Sequence, residues 1–189
     1  DTKASQPMFS KEHNSYILFN GEIFNFTELR RELEQKGEQF RTSHSDTEVL
    51  LLGISRYGAK FLDKCNGQFS FFHMNLNTGR IILCRDRLGQ KPLFYKYENN
   101  ELVFSTNLVS LVKCLKLNKS DISYGSLNKY INLGVVPSPD TIFQNIYKVR
   151  PGSYLEFNLF KNIEFIQEIK YWNIENYIGE NQFSNKVFE

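Results

Sequence analysis

The stretch F-N-G-E-I-F-N-F, residues 19–26, decides most of what the sequence predicts. It continues an apolar run that starts at Tyr16, which predicts a buried strand ending in a turn at Asn20-Gly21. Such an end would place two hydrogen-bond donors at one point, the Asn20 side-chain amide and the Gly21 backbone N–H. Two converging donors can stabilise a developing oxyanion, and a glycine lets a substrate approach the backbone closely. An isolated Asn-Gly pair is usually no more than a turn, so both interpretations stay open here.

Two helices are predicted directly after this stretch. Asn25 precedes Glu28 by three residues and Ser45 precedes Glu48 by three, which is the capping-box pattern of a helix start. A glycine is predicted to follow the end of each helix, at Gly37 and at Gly58.

The rest of the pattern alternates between hairpins and helices. Hairpins are predicted from strands at 68–75 with 80–85 and at 93–97 with 102–105, and helices at about 107–115 and 126–133. An extended segment at 135–139, a turn at 149–152 and a strand at 153–159 complete the prediction. Hairpins between helices indicate the α+β class with mostly antiparallel sheet.

Composition excludes several classes of protein. The 189 residues carry a net charge of only +2, with basic and acidic residues interleaved, which gives no basic face for nucleic acid. No apolar run is long enough to span a bilayer. The three cysteines, Cys65, Cys84 and Cys114, form no C-x-x-C pair, so we expect neither a disulfide framework nor a zinc site, and a cytoplasmic location. His13, His44 and His73 show no triad or metal spacing, and we expect ordinary surface or core roles for them.

Several ordered motifs resemble one family, the class II glutamine amidotransferases, and most closely the glutaminase domain of glutamine-hydrolysing asparagine synthetases. They are N-G-E-I-F-N-F at 20–26, S-D-T-E-V-L-L at 45–51, N-G-Q-F-S-F at 66–71, C-R-D-R-L-G-Q-K-P-L-F-Y at 84–95, L-G-V-V-P-S-P-D-T-I-F at 133–143 and V-R-P-G at 149–152. The resemblance spans Gln6 to Trp172.

The resemblance implies roles for four residues. Asn20 and Gly21 match the oxyanion hole, while Glu22 and Asp46 match the acidic groups that hold the α-amino group of glutamine. Asp46 also has a purely structural interpretation, as a first-turn helix charge, and both can hold at once. The segment R-D-R-L-G-Q-K-P, residues 85–92, matches a framework segment, and we assign its charged residues no catalytic role.

The nucleophile of the family is a cysteine at the mature N-terminus, whose own α-amino group serves as the base. Here residue 1 is Asp and no cysteine precedes Cys65. The family's arginine for the glutamine carboxylate would also fall upstream of Asp1. We expect that the chain is a piece of a longer parent protein, truncated at both ends. The alternative is a catalytically dead scaffold or binding module of the same fold, as in the β-lactam synthetases.

The resemblance implies a four-layer αββα sandwich of the N-terminal-nucleophile hydrolase type, with its first strands missing. Residues 1–172 would form the amidotransferase domain, and residues 173–189 would lead into a missing synthetase domain that uses ATP and magnesium. The parent enzyme would hydrolyse glutamine and pass ammonia to aspartate, although a sugar or another carboxylate stays open as the acceptor. We expect no cofactor in this chain itself, no glutaminase activity from it alone, and a parent compatible with a homodimer.

Overall fold

Two antiparallel sheets and four α-helices make up residues 5–160 and 162–178, which the computed structural model describes. The strands are β1 (Met8–Ser10), β2 (Ser15–Ile23), β3 (Gly67–Asn75), β4 (Arg80–Arg85), β5 (Phe94–Glu98), β6 (Glu101–Ser105), β7 (Tyr147–Lys148), β8 (Ser153–Asn158) and β9 (Glu164–Lys170). The helices are α1 (Phe26–Gln35), α2 (Asp46–Tyr57), α3 (Leu108–Cys114) and α4 (Tyr124–Leu133). Short 3-10 helices cover Gly58–Lys64, Lys119–Asp121 and Ile174–Tyr177.

The larger sheet has six strands in the order β1-β2-β3-β4-β8-β9, and the smaller has three in the order β6-β5-β7. The larger sheet is apolar on both faces because its side chains alternate between two cores. On one face it packs against α1 and α2, through a cluster that includes Ile17, Phe19, Phe69, Phe71 and Leu50.

The second core lies between the two sheets. The larger sheet contributes Ile81, Leu83, Leu155 and Phe157. The smaller sheet contributes the half-buried Tyr95 and Phe104, and Leu93, directly before β5, joins them. Helices α3 and α4 lie beyond the smaller sheet, since both line a groove with Phe94 on its outer face. The order of layers is therefore helix, sheet, sheet, helix, which confirms the predicted αββα sandwich.

Asn20-Gly21 is not a turn, and the prediction of a strand end there is wrong. Strand β2 continues without interruption to Ile23, and Gly21 pairs with Phe69 of β3. The two strands approach so closely at this pair that a β-carbon on Gly21 would lie 2.1 Å from the Gln68 carbonyl oxygen. The glycine serves a close approach of two backbones in place of a chain reversal.

The predicted caps of the first two helices have different outcomes. Ser45 caps α2, because its hydroxyl accepts a hydrogen bond from the Glu48 N–H (3.3 Å). Asn25 precedes α1 but makes no capping bond. Its side chain instead accepts from the Asn66 N–H and donates to the Lys64 carbonyl, both at 2.9 Å, and so ties the start of α1 to the loop before β3.

Three strands were not predicted: β1, β7 and β9. The first two are only three and two residues long, too short for a periodic pattern. Strand β9 is exposed at six of its seven residues, because it is the outermost strand of the larger sheet, and so lacks an apolar alternation. The predicted linker at 173–189 begins as a 3-10 helix, and its part beyond residue 178 lies outside the described residues.

Among the described residues, no helix combines the length and the apolar composition that a bilayer span requires.

Candidate active site

The register of β2 with β3 determines the direction in which the Gly21 N–H points. In β3, the Phe69 carbonyl oxygen accepts from the Asp86 N–H (2.8 Å) and the Phe69 N–H donates to the Asp86 carboxylate (3.2 Å), so both groups point away from β2. Phe69 is the partner of Gly21 in the register. Gly21 and Phe69 are thus a non-hydrogen-bonded pair, and the Gly21 N–H points out of the sheet edge, away from β3.

The two neighbouring outward-pointing N–H groups of β2 are both occupied. The Phe19 N–H donates to Gln6 Oε1 (2.6 Å) and the Ile23 N–H donates to Asp46 Oδ2 (3.1 Å). Between them, no residue in the described part of the chain accepts from the Gly21 N–H. The Gly21 N–H is therefore a backbone donor without a partner among residues 5–160 and 162–178, and side-chain bonds hold the strand on both sides of it.

Asn20 lies on the face of β2 that is turned toward the smaller sheet. Its exposed side chain lines a cavity of about 230 Å³ between the sheets, together with Gln6, Ser70, Phe72, Phe104 and Thr106. The hydrogen bonds of the described residues leave the Asn20 amide without a partner, whereas the opposite Ser70 hydroxyl is occupied with the Pro92 carbonyl (3.0 Å). Within the described part of the chain, the Asn20 amide on the cavity wall and the N–H of the next residue, Gly21, therefore both lack a partner.

Asp46 and Glu22 come to the same end of β2 from different elements. Asp46 is the first residue of α2 and is half-buried, and its bond to the Ile23 N–H reaches the residue that follows Glu22. Glu22 is exposed and pairs with Gln68 across the strands. Glu22 follows Gly21 directly, and Asp46 is bonded two residues beyond Gly21, at Ile23. The helix start also favours the charge of Asp46.

The segment 85–92 has a structural role that its charged sequence conceals. Asp86 is buried, and its carboxylate accepts from the N–H groups of Phe69, Leu88, Gln90 and Lys91 at 2.9–3.2 Å. The half-buried Arg85 donates to the carbonyls of Gly89, Lys91 and Val149. These residues thus fold a crossover between β4 and β5, in keeping with a framework role.

None of the cysteines is placed as a nucleophile beside Asn20. Cys65 and Cys84 are buried in the core between the larger sheet and the helices. Burial raises the pKa of the Cys65 thiol to about 12 and the pKa of Cys84 well above its usual value. A thiol that stays protonated is a poor nucleophile. Cys114 is exposed at the end of α3 and does not line the cavity beside Asn20.

The histidines have the structural roles that were expected, with one addition. His73 is buried, and its Nε2 lies 3.1 Å from the Ser55 hydroxyl. His13 Nε2 contacts the buried Glu38 carboxylate (2.9 Å), which also pairs with Arg56 (2.8 Å). Glu12, His13 and Glu38 lie close enough to share a metal ion, a grouping that tertiary structure creates and sequence spacing does not show.

Similar sequences occur in longer proteins. The chain is 38% identical over 148 residues to asparagine synthetase [glutamine-hydrolyzing] 1 of Bacillus subtilis strain 168, a match that covers 78% of this chain and 23% of that protein. It is 33% identical over 162 residues to the putative asparagine synthetase [glutamine-hydrolyzing] 2 of Methanocaldococcus jannaschii, covering 85% of this chain and 30% of that protein. The chain thus spans less than a third of the length of these relatives.

A similar fold occurs in the glutamine phosphoribosylpyrophosphate amidotransferase of B. subtilis, solved with ADP and GMP. That structure superimposes with a TM-score of 0.58 at 22% identity, over 90% of this chain and 32% of that one, and it supports the fold alone. The family described as the glutamine amidotransferase domain matches residues 1–172. The chain therefore belongs to the glutamine amidotransferase domain family and is homologous to the glutaminase domains of asparagine synthetases.

Proposed function

We propose that this domain binds glutamine at the end of β2 and hydrolyses its side-chain amide within a longer parent enzyme. The ammonia would serve the ATP-dependent synthesis of asparagine from aspartate. One observation carries the proposal: among the described residues, the Gly21 N–H and the amide of its neighbour Asn20, which lines a cavity, have no hydrogen-bond partner. An oxyanion is stabilised by unpaired donors, because an N–H group that already donates to the protein cannot donate a second strong hydrogen bond to the substrate.

The reaction divides into two stages, the formation of a thioester and its hydrolysis. A thiolate attacks the amide carbonyl carbon, and the negative charge that moves to the oxygen is stabilised by the Asn20 amide and the Gly21 N–H. The C–N bond then breaks, and ammonia leaves with the proton that a base took from the thiol. Water hydrolyses the resulting thioester to glutamate and regenerates the thiol.

Substrate orientation falls to the two carboxylates. The α-ammonium group of glutamine would pair with Glu22 and Asp46, so that the opposite end of the substrate reaches the two donors. Asp46 can accept this charge without leaving its place, because one of its oxygens is held by the Ile23 N–H. Because one end of the substrate is fixed in this way, its side-chain amide is held in position for attack.

The attacking thiol is proposed to come from another segment of the parent enzyme. Cys65 and Cys84 are buried and keep their protons, and Cys114 lies at the end of α3. We therefore expect the chain of residues 1–189 to release no ammonia from glutamine by itself. Ammonia release that a thiol-alkylating reagent abolishes would contradict this expectation.

The direct test uses the parent enzyme with Asn20→Ala. Loss of one oxyanion donor is expected to lower kcat for glutamine hydrolysis by roughly 10²–10³-fold, with a much smaller change in KM. Asp46→Asn should instead act mainly on KM, since it weakens the hold on the substrate ammonium. Asn132→Ala, at an exposed asparagine of α4, is the matched control and should leave both constants unchanged. Equal kcat values for Asn20→Ala and Asn132→Ala would refute the proposed oxyanion hole.

The runner-up is a scaffold that keeps the fold without the chemistry. The burial of Cys65 and Cys84 is the observation that favours it, because it removes two of the thiols in the sequence from reaction. A parent enzyme that binds glutamine but never turns it over, and makes its product only from added ammonia, would establish this alternative.

A further inference from the structure

Helix α4 and the loop after it expose an unusual set of large apolar side chains. A surface helix normally turns its apolar stripe to the core and its polar side to water. In α4 only Ser126 is buried, whereas Tyr124 is 83% exposed and Ile131 is 72% exposed. Tyr130, Leu133 and Val135 are each more than half exposed as well. Several large apolar side chains exposed on one short helix are typical of an interaction site on the protein surface.

A groove extends this face toward the smaller sheet. It has a volume of about 520 Å³ and lies between α3, α4 and the outer face of β5, with a lining that includes Phe94, Leu108, Leu127, Tyr130 and Val136. Lys148 is the charged residue in this lining, and its ammonium group donates to the Val136 carbonyl at 2.5 Å. The lining is otherwise largely apolar, and its one ammonium group is already bonded to a backbone carbonyl, so the groove fits apolar side chains of another polypeptide.

The length of the relatives indicates what covers the face. The chain spans 23% and 30% of the two synthetases described above, so their homologous domains are built together with a much longer stretch of polypeptide. The face also lies close to the candidate site. Leu93, directly before β5, lines the cavity beside Asn20, and Phe94, the first residue of β5, lines the groove on the opposite face of the smaller sheet. A domain that docks here would sit one sheet away from the place where ammonia is formed.

We propose that the exposed face of α4, residues 124–135, and its groove dock the ammonia-consuming domain of the parent polypeptide, which inserts apolar side chains between α3 and α4. The choice of this occupant rests on the proposed function, since it is that domain which needs to lie near the glutamine site. A second copy of the chain is the competing occupant.

Side-chain oxidation by hydroxyl radicals in the parent enzyme tests the docking. Tyr124 is about twice as exposed here as Tyr57 of α2, at 83% against 42%, and residues of the same type have the same intrinsic reactivity. If the face is docked, Tyr124 is expected to be oxidised at least about fivefold more slowly than Tyr57, because an interface core excludes water. Oxidation of Tyr124 faster than Tyr57 would overturn the proposal. Protection that disappears when the parent is diluted to a monomer would also overturn it, in favour of a second copy.

Coupling between the two activities gives the second readout. Ile131→Glu places a charge in the docked face and is expected to raise the glutamate formed per amidated product by about tenfold, with the rate of glutamine hydrolysis preserved. Ile166→Glu, at an exposed isoleucine of β9 that does not line the groove, is the control and should leave this ratio unchanged. An unchanged ratio for Ile131→Glu contradicts the docking. A parent enzyme without glutaminase activity would instead refute the proposed function, while the oxidation experiment would still decide the docking.

Discussion

Replacement of Gly21 by alanine tests whether the approach of β2 to β3 is as tight as the structure indicates. The added β-carbon would lie 2.1 Å from the Gln68 carbonyl oxygen and 2.6 Å from the Phe69 α-carbon. Both are backbone atoms that cannot rotate away, so the strands must separate by about 1 Å to reach an ordinary contact. The φ angle of +150° is also unfavourable for any residue with a β-carbon.

These two effects set the expected magnitude. Backbone strain at such a φ costs about 1–3 kcal/mol and overpacking a further 1–3 kcal/mol, for a total of about 2–6 kcal/mol. Total stability of a domain is typically about 5–15 kcal/mol, so the variant should unfold at a much lower urea concentration. Gly37→Ala separates the two contributions, because Gly37 also has a positive φ (+91°) but has open space where its β-carbon would be. If Gly21→Ala costs no more free energy of unfolding than Gly37→Ala in equilibrium urea titrations, the close approach is not what requires the glycine.

Three further predictions concern the core and the thiols. Asp86→Ala should lower the free energy of unfolding by on the order of 4 kcal/mol or more, because four N–H groups lose a buried acceptor. Asp63→Ala, at an exposed aspartate, is the control and should change the urea midpoint little. Similar midpoints for the two variants would contradict the role of Asp86. In the native chain, a thiol reagent such as DTNB should titrate the exposed Cys114 and reach the two buried cysteines only after denaturation; rapid reaction of all three would show that the core is open. Burial lowers the pKa of His73 from 6.5 to about 4, so the unfolded chain binds the extra proton between these values and stability should fall by about 3 kcal/mol from pH 6.5 to pH 4. His73→Gln, which can still reach the Ser55 hydroxyl, should flatten this slope, and an unchanged slope would assign the pH dependence to other groups.

The α+β class could be predicted from the sequence because the longer elements have strong periodic signals, whereas the four layers were implied only by the family resemblance. Strands β3 and β4 were expected at 68–75 and 80–85, and the structure has them at 67–75 and 80–85. The signals that misled were local ones. Asn-Gly is a turn pair in isolation, yet pairing with β3 holds it in a strand, and the amide of Asn25 is drawn to the backbone of a distant loop in place of its own helix. Tertiary contacts decided both cases.

The candidate site was predictable as a set of residue types but not as a geometry. The resemblance to a family supplied Asn20, Gly21, Glu22 and Asp46, and nothing in the spacing of 20 and 46 shows that Asp46 would reach the edge of β2. That the Gly21 N–H points away from β3 follows from the register with Phe69 and from the bonds that Asp86 makes on the other edge of β3. Sequence periodicity carries no information about which edge an N–H group faces.

The segment 85–92 around Asp86 also connects the two sheets. The segment connects β4 of the larger sheet to β5 of the smaller sheet, and the Ser70 hydroxyl donates to the Pro92 carbonyl at the side of the segment nearer β5. The cavity at Asn20 lies between those sheets, so we expect its width to depend on the shape that the Asp86 carboxylate gives to this connection. Substitutions of the charged residues in this segment would then change the distance between the sheets at the site, although none of these residues contacts the substrate.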